Sequence, residues 1–341
     1  MKRLLPIALA LLLLTVLGSA ALWQHYQRFL QTPMQFEETG LVIDVKPGAN
    51  VRSVASWLQQ QGVTRMDWRW RLLGRTHKGT IKTGEYQLIP GMSPPALLDL
   101  LASGKVINYR FTIVEGWSLK QLLGALQADP VLRHTLDDVS GLNNVEGLPA
   151  GNMEGWFLPE TYVFVRGDLD LEILRRAYND MQSSLQAMWA GRDAGVPYET
   201  PYEMLIMASI IEKETAFESE RGDIAGVFVR RLLKRWRLET DPTVIYGMGE
   251  SYDGNIRRKD LKTDTPYNTY TRRGLPPTPI AMPGRASLEA AAHPAPGVAM
   301  FFVANGQGGH AFSSTLEDHN KAVRQMIKRQ RDAVNKQEQE P

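Results

Sequence analysis

The sequence predicts an α+β protein in three parts: an N-terminal transmembrane helix, a small α/β subdomain and a larger, mainly helical α+β domain. Three observations predict this. An uncharged apolar run extends from Leu4 to Trp23. A strand–turn–helix pattern recurs three times between residues 41 and 127. Beyond residue 170, long helical periods are interrupted by a turn-rich stretch from Glu239 to Pro283. The expected boundaries are 1–29 for the cytoplasmic start and anchor, 30–128 for the subdomain, 129–328 for the larger domain and 329–341 for a charged tail.

Lys2 and Arg3 precede the apolar run, which has about the length that spans a bilayer. Trp23 and Tyr26 follow at the place of an aromatic belt. Gly18-Ser19-Ala20-Ala21 offers small residues to a signal peptidase, but a secretory apolar core is roughly 7–15 residues, and this run is longer. An uncleaved anchor is therefore expected. Positive residues stay inside, so residues 30–341 face away from the cytoplasm, into the periplasm of a bacterium.

Leu41–Val45 alternates like a strand, Pro47-Gly48 turns, and 51–61 reads as a helix. Residues 85–89, the Pro90-Gly91 turn and the helix 96–102 repeat the unit; 109–113, Glu115-Gly116 and the helix 119–127 repeat it again. Residues 130–155, rich in Gly, Asn and Pro, read as a linker. A helix is expected over 172–190, ended by Gly191, another starts at Pro201, and a further one is expected over 224–238. The turn-rich stretch is of the length and polarity that usually holds function. Ser287 is expected to cap a short helix. A hairpin is expected around Asn305-Gly306-Gln307-Gly308-Gly309, and Thr315 should open the last helix, whose charged end frays.

Composition bounds the function. The 341 residues are 43% hydrophobic, enough for two cores, and the net charge of +2 gives no overall field for nucleic acid. No cysteine is present, which removes disulfides, thiol catalysis and cysteine metal sites. His293, His310 and His319 share a region, but their spacings fit no standard metal site. Lys82-Thr83-Gly84 matches one element of the penicillin-binding set without its Ser-x-x-Lys partner. Trp68, Trp70 and Trp117 are candidates for sugar stacking or for core packing.

The stretch Ala208–Thr215 carries the sharpest signal. Thr200, Pro201 and Glu203 mark a helix start. Stepping 100° per residue places Glu214 between Ile210 and Met207, with Phe217 flanking, and Glu212 at the edge of the apolar arc. A desolvated carboxyl holds its proton, as a general acid must near neutral pH. The residues alone leave two readings of Glu214 open, a general acid and a member of a buried ion pair. Glu212 reads as solvated or ion-paired, and Glu218 is the residue most easily confused with Glu214.

Five blocks in order extend the reading: Glu154–Tyr162, Ala208–Thr215, Thr240–Gly247, Pro266–Tyr270 with Gly274–Pro277, and Gly308–Phe312 with His319-Asn320. Over about residues 150–322 these resemble the endolytic murein transglycosylase family, the membrane-anchored YceG/MltG-like enzymes. The middle strand–Pro-Gly–helix unit resembles half of the LysM glycan-binding module; the alternative is a small spacer. The resemblance implies internal cleavage of peptidoglycan strands between N-acetylmuramic acid and N-acetylglucosamine, leaving 1,6-anhydro ends, with no metal or organic cofactor. It implies that Glu214 acts first as acid and then as base, and that peptidoglycan synthases are partners at the inner membrane. Glu160, Asp241, Tyr267, Asn268 and Tyr270 are the expected sugar contacts, with an Asx turn or helix cap the alternative for Asp241. Glu160 stands where the family usually has Asp, Thr278 where Gly is commoner, and Met282 where Asn is frequent. The rival readings are a water-using muramidase, with Asp241 or Glu160 opposite Glu214, and a non-catalytic glycan-binding scaffold.

Overall fold

A computed structural model describes residues 4–337 except 137–140, 143–144, 146 and 150. Lys2, Arg3, the end of the charged tail and part of the expected 130–155 linker lie outside the described residues. The chain forms two compact units, Met1–Tyr109 with Val163–Gly167, and Arg110–Tyr162 with Asp168–Pro341.

The first unit opens with α1 (Leu4–Gln31), whose apolar segment is long enough to cross a membrane. It continues with β1 (Leu41–Val45), α2 (Val51–Gln60), α3 (Trp68–Thr76), β2 (Gly84–Leu88) and α4 (Pro94–Ser103). Short polar residues start each helix: Asn50 and Ser53 form a capping box on α2, Asp67 caps α3, and Ser93 caps α4 ahead of Pro94. Strands β1 and β2 pair antiparallel, with Ile43 opposite Tyr86 and Val45 opposite Gly84. Thus the first two sequence copies share one sheet, and α3 stands between them where periodicity alone had shown no helix. The core packs Leu58, Trp70, Tyr86, Leu88, Leu97, Leu98 and Leu101 against Tyr26 and Phe29 of α1. Trp70 is a core residue at 1% exposure, whereas Trp68 is 40% exposed.

The chain passes between units within two short strands that pair with each other, β3 (Tyr109–Thr112) and β4 (Thr161–Phe164). The sequence places the boundary at 128, after the third copy; in the structure that copy's helix, α5 (Leu119–Ala128), belongs to the second unit. There follow α6 (Asp170–Gly191), α7 (Pro201–Glu214), α8 (Glu218–Leu233), α9 (Asp241–Met248), α10 (Arg258–Lys262), α11 (Arg285–Ala292), β5 (Phe301–Ala304), β6 (His310–Ser313) and α12 (Leu316–Gln337). Helix α7 is the centre, packed by α6, α8, α9 and α11. Every residue from Met204 to Ile211 is buried, Ser209 included, so this helix has an apolar circumference rather than one apolar face. Three expectations are corrected here. α8 starts at Glu218 and ends at Leu233 rather than running 224–238, and the turn-rich stretch contains two α-helices, α9 and α10, with a 3-10 turn at Gly249–Ser251 between them. Ser287 is no cap; α11 is preceded by Gly284, and the Ser287 hydroxyl donates to Glu212 instead.

Candidate active site

Helix α7 begins as its sequence dictates. The Thr200 hydroxyl accepts the Glu203 N–H at 3.2 Å, and Pro201 fills the first turn. It stops three residues earlier than the periodicity suggests. Thr215 turns to extended backbone, its hydroxyl accepts the Phe217 N–H at 3.0 Å, and Phe217 lies 47% exposed outside the helix. Glu214 is therefore the last residue of the helix, and its desolvation does not come from neighbours along an apolar arc.

What surrounds the carboxyl arrives from far along the chain. Oε1 accepts a short hydrogen bond from the Thr240 hydroxyl. Thr240 ends the segment before α9, and a buried hydroxyl network fixes it: its N–H donates to Thr269 Oγ1 at 3.1 Å, and Thr243 donates to its carbonyl at 2.8 Å. Glu214 opens on a cavity of about 460 Å³ that it shares with Arg231, Glu239, Asp241, Tyr270, His310 and His319, with Phe301 and Phe302 of β5 as apolar wall. That volume is in the range of small-molecule sites. Burial raises the Glu214 pKa to about 7, against the opposing hydrogen bond from Thr240 and with help from the Asp241 charge.

The polar wall is held rigidly. Arg231, 7% exposed, donates from Nε to the Met300 carbonyl at 2.8 Å and from Nη1 to the Leu238 carbonyl at 2.7 Å. These bonds join the hairpin to the segment carrying Glu239 and Thr240. Burial depresses its pKa from the usual guanidinium value. His310 is clamped through its backbone N–H and Nδ1 to the Glu220 carboxylate, at 2.8 and 2.7 Å. Burial would push Glu220 upward, but the His310 bonds outweigh it and hold its pKa low. The Tyr270 hydroxyl donates to Asp241 Oδ1 at 2.6 Å, and burial raises its pKa.

Of the residues expected to contact sugar, the structure brings Asp241 and Tyr270 to the cavity. Asp241 is the first residue of α9 rather than its cap, which is Thr240. The other three lie elsewhere. Asn268 is 1% exposed; its amide donates to the carbonyls of Asp260, Leu261 and Thr263, and its oxygen accepts the Tyr270 N–H. It holds the loop that presents Tyr270. Tyr267 pairs its hydroxyl with Thr278 and sets its ring edge-on to Tyr246. Glu160 is exposed and accepts its neighbour's N–H, outside the residues that line the cavity. Glu218 is exposed at the start of α8.

Glu212 is ion-paired, not solvated. Its carboxylate receives Arg221 at 3.2 Å, the Gly284 N–H at 2.9 Å and the Ser287 hydroxyl at 2.8 Å. It ties α7 to α8 and to the start of α11. Glu212→Ala leaves Arg221 buried with one distant partner, Glu115 at 3.5 Å. The expected loss is about 3 kcal/mol of stability, read by denaturant unfolding.

Sequence reasoning missed Arg231, Glu239 and His310 as cavity residues, and it missed Glu154. Glu154 is 4% exposed, accepts the Leu119 N–H at 2.9 Å and the Tyr246 hydroxyl at 3.1 Å, and burial raises its pKa to about 7. It lies outside the Glu214 cavity. No local signal marks these side chains, because the partners that bury them are mostly remote in sequence: Met300 for Arg231, Glu220 for His310, and Leu119 and Tyr246 for Glu154. Among the described residues, no group of three or more potential ligands is placed to hold a metal ion. His293 pairs with Asp193 and His319 stacks on Phe301.

Residues 43–325 match the YceG-like family. A Bacillus subtilis protein named endolytic murein transglycosylase is 31% identical, over 92% of this chain and 91% of its own length. A Streptococcus pneumoniae protein of the same name is 25% identical over 94% of this chain, which spans 65% of that relative's length. The crystal structure of a yceG-like protein from Listeria monocytogenes superposes with a TM-score of 0.54 at 28% identity, covering 84% of this chain and 99% of that one.

Proposed function

Since this chain belongs to the YceG-like family, we propose that it is a membrane-anchored lyase that cuts peptidoglycan glycan strands internally, with Glu214 as its acid and then its base. The observation that carries the reading is a carboxyl with a pKa raised to about 7, opening on a cavity shared with Asp241 and Tyr270. Protonated Glu214 gives its proton to the oxygen between N-acetylmuramic acid and N-acetylglucosamine, and the C1–oxygen bond breaks. The resulting carboxylate takes the proton from the muramic C6 hydroxyl as that oxygen closes on C1. The products are a 1,6-anhydro end and a free 4-hydroxyl, and Glu214 regains its proton. Because the nucleophile belongs to the substrate, water and a second carboxylate are not needed, unlike ordinary glycosidases. Arg231 supplies a fixed positive charge at the wall, and the Asp241–Tyr270 pair offers polar edges for sugar hydroxyls and acetamides. The strand–helix–helix–strand first unit is a LysM-like glycan-binding module in this reading, and peptidoglycan synthases are the partners.

Digestion of purified peptidoglycan by the full chain in detergent, with products identified by mass, tests this. Anhydro ends are expected; reducing ends would replace the reading with hydrolysis. That second reading has one observation in its favour, Asp241 lining the same cavity as Glu214. Absence of cleavage would leave a glycan-binding scaffold.

The pH dependence has a defined sign. The free enzyme needs Glu214 protonated, so kcat/KM falls as pH rises through about 7. The Thr240 bond favours the ionised form, so Thr240→Val moves this limb upward by about one unit. A pH–rate profile in which the limb stays in place would remove Glu214 as its source.

A further inference from the structure

We propose that the outward face of α3, with the recess between α2 and α3, binds the phosphate of an anionic phospholipid in the membrane that α1 enters. The proposal rests on α1 crossing a bilayer. Trp23 closes the uncharged run, and Tyr26 follows about 4.5 Å further along the helix. Tyr26 and Phe29 are 4% and 6% exposed, buried in the core of the first unit, so α1 is built into that unit. Helix α3 lies against this exit point. The Trp68 ring is centred 6.1 Å from that of Tyr26 and 6.4 Å from that of His25, and Trp70 meets Phe29 edge-on at 5.4 Å. Trp68, 40% exposed, is thereby held beside the level where aromatic residues sit in headgroups.

Helical stepping puts Trp68, Arg71, Leu72 and Arg75 on one face of α3, opposite buried Trp70 and Leu73. Val51, Met66 and Trp70 help line a recess of about 320 Å³, and Arg52, Arg71 and Arg75 stand around it. Gly74 keeps the two helices close, because a Cβ there would come within 3.1 Å of Val51. Arg69 on the same helix is satisfied, paired with Asp67 and placed over the Phe29 ring. By contrast, Arg52, Arg71 and Arg75 are exposed, and none of the three has a hydrogen-bond or ion-pair partner among the described residues. Three free guanidiniums around an apolar recess match a phosphate joined to glycerol and acyl chain, next to a helix that places them at such phosphates.

The full chain is reconstituted in phosphatidylcholine vesicles with and without phosphatidylglycerol, and amide hydrogen exchange is followed over residues 64–76. The expected result is at least about tenfold slower exchange with the anionic lipid, given roughly a fivefold contribution per basic residue near such a surface. The triple variant Arg52→Gln/Arg71→Gln/Arg75→Gln should lose that difference while keeping its circular dichroism and its peptidoglycan cleavage. Equal exchange in both lipids, or a difference that persists in the triple variant, would overturn the proposal. So would inorganic phosphate alone slowing exchange in phosphatidylcholine vesicles, which would make the recess a small-anion site. Exchange over residues 6–22 is read in parallel. Fast exchange there would overturn the membrane reading itself, and the lipid site with it.

Discussion

Glu214→Gln is expected to abolish glycan cleavage, by about a thousandfold or more, because in the proposed mechanism one carboxyl performs both proton transfers. The fold survives the change. Gln keeps an oxygen for the Thr240 hydroxyl and stands in for the protonated acid. Its stability has a defined pH signature. The folded-state pKa of Glu214 is raised to about 7 from 4.5, so its own contribution to stability is fully present below about 4.5 and is lost as pH rises through about 7. The Gln variant lacks that loss and is expected to melt higher than wild type at pH 8 and level with it at pH 4. Glu154 titrates in the same window, so both proteins keep a residual slope from that residue. That slope cancels in the difference between the two melting profiles, which therefore isolates Glu214. A dead Glu212→Gln or Glu218→Gln variant beside an active Glu214→Gln would transfer the acid's role elsewhere.

The second large effect concerns where the protein is cut for study. Deleting residues 1–29 removes Tyr26 and Phe29 from the core of the first unit; deleting 1–23 retains both. Loss of a buried aromatic costs about 3–5 kcal/mol, and here two are lost together with the Phe29–Trp70 contact. The chain starting at Met or Gly followed by residue 24 is expected to unfold cooperatively, whereas the chain starting at residue 30 should show early loss of the first unit. Differential calorimetry separates them. Coincident transitions in the two chains would mean that the aromatic residues of α1 contribute little.

Several features were legible because their causes are local. The Thr200-Pro201 start of α7, the hairpin flanking Asn305–Gly309 and the Thr315 start of α12 follow from short-range chemistry, and the structure contains each. Glu214 was identifiable as a desolvated acid, but by a mistaken route. Periodicity assigned it to the middle of an apolar face, while the helix is apolar all round and ends at that residue. Asn268 and Tyr270 look alike in sequence, both polar within one turn-rich segment. Only the tertiary path of the loop turns one inward to carbonyls and the other toward the cavity. The Glu220–His310 clamp joins residues ninety positions apart, and no pattern in the chain announces it.

The long-range bonds of Arg231 have a consequence for the order of folding. Arg231 reaches the carbonyl before β5, and the cavity takes its walls from residues 214 to 319. Contacts so far apart in sequence form late, after the loops between them have closed. A chain ending before residue 300 carries Glu214 yet lacks the hairpin wall of its cavity. On the proposed function, cleavage then requires the β5–β6 hairpin as well as Glu214, so a chain truncated before residue 300 is expected to be inactive on glycan.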